Sequence, residues 1–388
     1  MKLELYLHNL RFRLFHSAGA TLVFGLSMIS CAAAPAKPES LPAWCVGPFT
    51  KDLSVNPIIE PNPKSMFIDP ISGRLVAWEH DNTFNPAAAV HNGKVVVLYR
   101  AEDNSGEGIG MHTSRLGYAE SSDGRHFKRG PLPVLYPDND GQRANEWPGG
   151  CEDPRCVETT DGRYILTYTQ WNHDRPRLAV AESRDLVHWT KHGPVFESAY
   201  NGKYKDLGCK SGAILTRPEG DHLWAVKIDG LYWMYWGEGS IHSATSVDLI
   251  NWKPVEDSSG NLMNLLSPRQ GKFDSSLAEG GPPALLLKQG IVVIYNGKNG
   301  DIKSGDPEIN AGAYSGGEAL FDPANPTHLL DRLDKPFIRP SEPYEATGQY
   351  AAGTVFVEGL VHFKKHWMLY YGTADSKVAL ATAPDRSK

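Results

Sequence analysis

The sequence has no long run of basic residues, no segment with the apolar periodicity of an amphipathic helix, and no spaced cluster of metal ligands. Each absence removes a class. Lysine and arginine are scattered among a modest excess of acids, giving a formal net charge of −6, whereas nucleic-acid binding needs clustered cations. There is no Cys-x-x-Cys pair and no His-Glu-x-x-His, and the 14 histidines are dispersed, so neither a metal nor another cofactor is expected. Cysteine is scarce, at five residues. With Cys31 set aside, Cys45, Cys151, Cys156 and Cys209 allow two disulfides in any of three pairings, or four free thiols.

The N-terminus reads as an address rather than as part of a fold. Lys2, Arg11, Arg13 and His16 form a basic region, and 18–29 is apolar but short for a membrane span. It runs into Met28-Ile29-Ser30-Cys31, which resembles a bacterial lipoprotein box. Export to the periplasm or cell surface is expected, with Cys31 lipidated as the first mature residue and this anchor the sole membrane contact. Ordinary cleavage within 32–36 is the alternative. On this reading 1–31 is the signal, 32–50 a Pro- and Ala-rich linker, and 51–388 a single catalytic domain.

What the chain does contain is a repeat. A strand-like run ending in tyrosine recurs as VVVLYR (95–100), YILTYT (164–169), YWMYWG (232–237), VVIYNG (292–297) and WMLYYG (367–372), with reference residues Tyr99, Tyr168, Tyr235, Tyr295 and Tyr370. A second signature, Ser-x-Asp or Ser-x-x-Asp with an aromatic close behind, follows at Asp123, Asp185 and Asp248, with a weaker echo at Asp375. Units of about 63 residues built from short strands predict an all-β, five-bladed β-propeller. Tandem sandwiches would need longer units.

In a propeller the innermost strands line the axis. Stepping back one hairpin from each tyrosine places Phe84-Asn85-Pro86, Glu152-Asp153-Pro154-Arg155, Lys210-Ser211-Gly212, Glu279-Gly280-Gly281 and Ala351-Ala352-Gly353 at one funnel. The second lies within NEWPGGCEDPRC (145–156), a loop-forming run with two adjacent carboxylates. Strand alternation puts Glu152 and Asp153 on opposite faces and Arg155 on the face of Asp153. Clustered like charges are costly unless used; a salt-bridged structural turn is the plain alternative. Glu238 and Glu279 are each flanked by glycine, so backbone there can approach a ligand closely. Arg100, Lys210, Tyr344 and Asp375 are candidate hydroxyl or anion ligands. Trp147, Trp171 and Trp236 are candidate sugar platforms, core packing being the commoner role. Paired carboxylates in an aromatic-lined cleft suit glycosidic bond cleavage.

Several motifs in order across residues 75–385 give the chain a specific resemblance to glycoside hydrolase family 130. They are FNPAAAVHNGKVVVLYRA (84–101), GCEDPR (150–155), AESRDLVHWTKHGPVF (181–196), GGPPALLL (280–287), the PYEATG segment with Tyr344, and YYGTADSKVALATA (370–383). The resemblance implies a five-bladed propeller acting on β-mannosides, with Asp153 as proton donor working through a substrate hydroxyl. Most of that family are phosphorylases with a cationic phosphate pocket. Here Tyr295-Asn296-Gly297 stands where those commonly carry Tyr-His-Gly, and Glu238 and Glu279 lie around the expected pocket. A carboxylate beside phosphate is repulsive by several kcal/mol as an order of magnitude, while a water-activating base needs one. The pattern is similar to the inverting hydrolase branch acting on β-1,2-mannosides. That implies Glu238 and Glu279 as the water-activating pair and Asn85, Arg100, Arg155, Lys210, Tyr344 and Asp375 as ligands of a terminal mannose. A mannoside phosphorylase and a non-catalytic glycan-binding propeller are the two alternatives.

Overall fold

The computed structural model describes residues 41–385. The signal segment 1–31, the lipidation candidate Cys31 and residues 32–40 lie outside the described residues, as do 386–388. Within them the chain is nearly all β, 46% strand and 3% helical, and no described helix is long and apolar enough to cross a membrane.

The strands pair in consecutive antiparallel groups. Asn82–His91, Lys94–Glu102, Ser114–Ser121 and Lys128–Arg129 form the first. Gly150–Glu158, Tyr164–Trp171, Arg177–Ser183 and Thr190–Pro194 form the next. Ala213–Glu219 pairs with Leu231–Trp236, which continues through His242–Ser246 to Trp252–Pro254. Leu277–Gly280 and Ala284–Leu287 share the partner Gly290–Lys298, followed by Tyr314–Asp322 and Asn325–Arg332. Val355–Phe363, His366–Thr373 and Lys377–Pro384 form the last group, and its edge is Thr50–Lys51 from the start of the chain. That pairing closes an exposed sheet edge, and Thr50 belongs to the 32–50 stretch expected to be linker. Residues 41–50 are packed: Val46 and Phe49 are buried, and the Val46 amide donates to Glu318 Oε2 at 2.9 Å.

Both repeat signatures are structural. The five reference tyrosines are fully buried, and each hydroxyl donates to a group outside its own strand: Glu79, Glu146, Asp274, and the Pro326 and Gly124 carbonyls. A tyrosine there buries a large ring while its polar end ties down a loop. The Ser-Asp signature is a side-chain-capped turn between a group's third and fourth strands. Asp123, Asp185 and Asp248 accept the amides of His126, His188 and Asn251 at 2.8–2.9 Å. Asp375 does not belong to this series, because it lies between the second and third strands of its group. Cys45, Cys151, Cys156 and Cys209 are all free thiols, and Cys151 and Cys156 pack in the apolar core.

Candidate active site

In four of the five groups the backbone is irregular at or just before the first strand, and these irregularities shape the site. The register of Asn82–His91 shifts between Phe84 and Pro86, with Asn85 at φ +43°. That of Gly150–Glu158 shifts between Glu152 and Arg155, with Asp153 at φ +46°. Ser211, just before Ala213–Glu219, has φ +63°. Val355–Phe363 shifts between Val357 and Gly359. A left-handed residue that is not glycine is a strained choice, and a bulge re-aims its side chain. Here the re-aimed side chains meet. Asn85 Nδ2 donates to Asp153 Oδ1 at 2.8 Å, Lys210 Nζ lies 3.7 Å from Asp153 Oδ2, and Ser211 Oγ donates to Glu279 Oε1 at 2.5 Å. Gly372 lets the second strand of the last group run directly against Asn85, where any Cβ would collide with the amide.

The bulge corrects the strict-alternation expectation. Glu152 and Asp153 do not face opposite ways: both reach one guanidinium. Arg100 Nη2 is 2.8 Å from Glu152 Oε1 and its Nη1 is 3.2 Å from Asp153 Oδ1. Its Nη2 also donates to Glu102 at 2.6 Å and its Nε to Ser114 Oγ at 3.1 Å. Lys210 is the second centre, with Glu279 Oε1 at 3.4 Å and Glu238 Oε1 at 3.5 Å besides Asp153. Asp153 and Glu279 are 2% and 1% exposed, whereas the Glu238 side chain is 43% exposed at the rim.

Electrostatics separate these acids. Burial would raise Asp153, but Arg100, Lys210, Arg155 and the Asn85 amide outweigh it and hold the carboxyl well below its usual range. Burial pushes Glu152 up to about 7 despite Arg100, with Asp153 and Glu102 adding to the rise. Of this adjacent pair Glu152 therefore holds a proton the more readily, and Asp153 favours the carboxylate. Burial, Lys210 opposing and Glu238 assisting, also raises Glu279. Asp375 is partly exposed, and burial of its carboxyl, with Arg100 opposing, pushes it up to about 7.

Asn85, Arg100, Asp153, Lys210, Glu238, Glu279 and Asp375 are thus brought together as expected, while two expected ligands are not. Arg155 spends its guanidinium on backbone, donating to Asp153 O at 2.9 Å, Gly280 O at 2.7 Å and Gly281 O at 3.2 Å; it braces the site from beneath. Tyr344 packs against a core cluster, its hydroxyl accepting from Asn56 Nδ2 at 3.3 Å. Trp236 is enclosed between Phe196 and His242, and the indole of Trp171 donates to Gly110 O. Residues 351–353 precede the last inner strand, so that group's contribution is Glu358. Two acids escaped notice, Glu102 and Glu358, although both carried a signal. Glu102 is two residues beyond Arg100, on the same strand face, and Glu358 is the lone charge in VFVEGLVHF. Asn296 does not face the cavity: its amide pairs with the Val357 backbone, accepting at 2.7 Å and donating at 3.0 Å.

Comparison with known proteins identifies the relatives of this chain. Residues 67–387 match the profile of glycoside hydrolase family 130, described as β-1,4-mannooligosaccharide phosphorylase. A 1,2-β-oligomannan phosphorylase of Thermoanaerobacter sp. (strain X514) is 28% identical over 340 residues, 85% of this chain and 96% of that protein. A solved glycosyl hydrolase from Bacteroides ovatus is 54% identical, with a TM-score of 0.87 and coverage of 88% of this chain and 95% of that one. Another, 55% identical with a TM-score of 0.87 and the same coverage, comes from work stating that family 130 "contains glycoside hydrolases that target beta-1,2 mannosidic linkages in Candida mannan". With the profile spanning most of the sequence, the chain belongs to glycoside hydrolase family 130.

Proposed function

We propose that the protein is a five-bladed β-propeller that hydrolyses β-1,2-linked mannosides from the end of the chain, with inversion and with water as nucleophile. One observation carries the choice of water over phosphate: every cation of the cluster is already engaged by acids or by backbone carbonyls. Arg100 faces Glu102, Glu152 and Asp153; Lys210 faces Asp153, Glu238 and Glu279; and Arg155 is committed to carbonyls and Glu358. A phosphate dianion entering here would meet carboxylates before it met a free cation, a repulsion of several kcal/mol in a dry cleft as an order of magnitude. A water molecule meets two bases.

In this reading Glu279, held by Ser211 and Lys210, accepts the proton of a water that Glu238 helps to orient. Asp153 supplies the proton that leaves with the aglycone oxygen, relayed by a sugar hydroxyl. Asp153 favours the carboxylate in the free enzyme, so in this reading sugar binding passes it a proton from Glu152. Hydroxyls that displace Lys210 and the Asn85 amide from Asp153 remove the interactions that keep it ionised. Asn85, Arg100 and Asp375 hold the terminal mannose. The five-bladed architecture is supported by the five sheet groups, each delivering a residue to the same cluster.

The pH profile follows. The base must be ionised, so kcat/KM rises with pH through the raised value of Glu279, above the ~4.3 of an ordinary glutamate. The acid's proton must be present, so activity falls as the Glu152–Asp153 pair empties, with Glu152 at about 7. A bell with its alkaline limb near neutrality is expected from initial rates on β-1,2-mannobiose. A profile flat from pH 5 to 9 would contradict the assignment. The identity of the nucleophile is tested by product analysis on the same substrate with and without phosphate. Free mannose in phosphate-free buffer is the expected product.

A further inference from the structure

The acid–base scheme gives no task to Glu358, an acid buried beside Arg155. Glu358 sits at the register shift of Val355–Phe363, is 0% exposed, and neither of its oxygens accepts a hydrogen bond. Among the described residues its one ion pair is with Arg155, whose Nη1 is 3.4 Å from Oε1. The Asn296 amide grips the Val357 peptide on both sides, so the bulge that points Glu358 inward is fixed. Arg155 meanwhile bonds the Asp153 carbonyl and the Gly280 and Gly281 carbonyls. The guanidinium therefore joins three strands: one carrying the proton donor, one carrying Glu279, and one carrying Glu358.

An ionised Glu358 would be a buried charge with no hydrogen bond and one oblique cation, an arrangement that proteins avoid. It would also add a negative charge beside Asp153 and Glu279. Burial, opposed by Arg155 and Lys210 and reinforced by Asp153 and Glu279, raises its carboxyl well above the usual range. We propose that Glu358 is a positioning residue held as the neutral acid, closing the Arg155 clamp that sets the spacing between Asp153 and Glu279 without adding charge to the cavity. The functional part rests on the Asp153 and Glu279 assignments above; the protonation state does not.

The test separates the two. A carboxyl with a raised folded-state value binds a proton in the native protein that the unfolded chain releases, so stability falls as pH rises above ~4.3. Glu358→Gln is neutral throughout and escapes that loss. Its Tm minus that of the wild type is expected to increase from pH 5 to pH 8 by a few degrees. A difference that stays constant or declines with pH overturns the neutral-acid state. In turnover, Glu358→Gln is expected to keep kcat within about threefold, whereas Glu358→Ala, which frees Arg155, loses about 10- to 100-fold in kcat with KM within about threefold. A Glu358→Gln enzyme that is itself nearly inactive overturns the positioning role. If Asp153 and Glu279 variants retain activity, the acid–base scheme fails, while the Tm series still reports the state of Glu358.

Discussion

Asp153→Asn is expected to fold normally and to lose about 10³- to 10⁴-fold in kcat on β-1,2-mannobiose, the upper range for removal of a general acid. The substitution keeps size and hydrogen-bonding shape, so the Asn85 and Arg100 neighbourhood survives and KM should change little. The loss should shrink on an aryl mannoside, whose leaving group departs without a proton. That pattern distinguishes chemistry from packing: a merely structural aspartate would lower both substrates equally, along with Tm. It also separates an enzyme from a glycan-binding propeller, which has no turnover to lose and keeps its affinity. Equal activity of Asp153→Asn and wild type on mannobiose would remove Asp153 from the reaction.

The second large effect is expected at the base. Glu279→Gln should reduce kcat by about 10²- to 10⁴-fold, and Glu238→Gln by less, because Glu279 is 1% exposed and fixed by Ser211 while the Glu238 side chain is 43% exposed. Azide should partly restore turnover of Glu279→Gln by replacing the water, giving the α-mannosyl azide. Asp153 Oδ2 and Glu279 Oε1 lie 3.7 and 3.4 Å from the same ammonium, so they are at most about 7 Å apart. That ceiling covers both the ~5–5.5 Å of retaining pairs and the low end of the ~6.5–9.5 Å of inverting pairs. The anomer decides: α-mannose as first product fits a water base, and β-mannose would make Glu279 a nucleophile.

Much of this site was legible in sequence because repetition exposes what departs from it. The tyrosine strands mark each group's second strand, and the residues one hairpin earlier include Asn85, Asp153, Lys210 and Glu279. Period-two reasoning then failed at the functional positions. It placed Glu152 and Asp153 on opposite faces, because a bulge at φ +46° is not visible in alternation. The resemblance made Arg155 a mannose ligand, whereas the kinked strand turns that guanidinium onto the carbonyls of 280 and 281. Tyr344 shares a motif with the family but packs beside Asn56. The last group was misaligned because residues 351–353 were read as a strand start, which hid Glu358. The 41–50 segment looked like linker by composition, yet Val46 and Phe49 are core residues and Thr50–Lys51 completes the last sheet.

The most direct test of the central claim is product identification from β-1,2-mannobiose with purified enzyme, in phosphate-free buffer and in phosphate. Hydrolysis predicts two equivalents of free mannose at the same rate in both. Mannose-1-phosphate in phosphate, with no turnover in its absence, would contradict it.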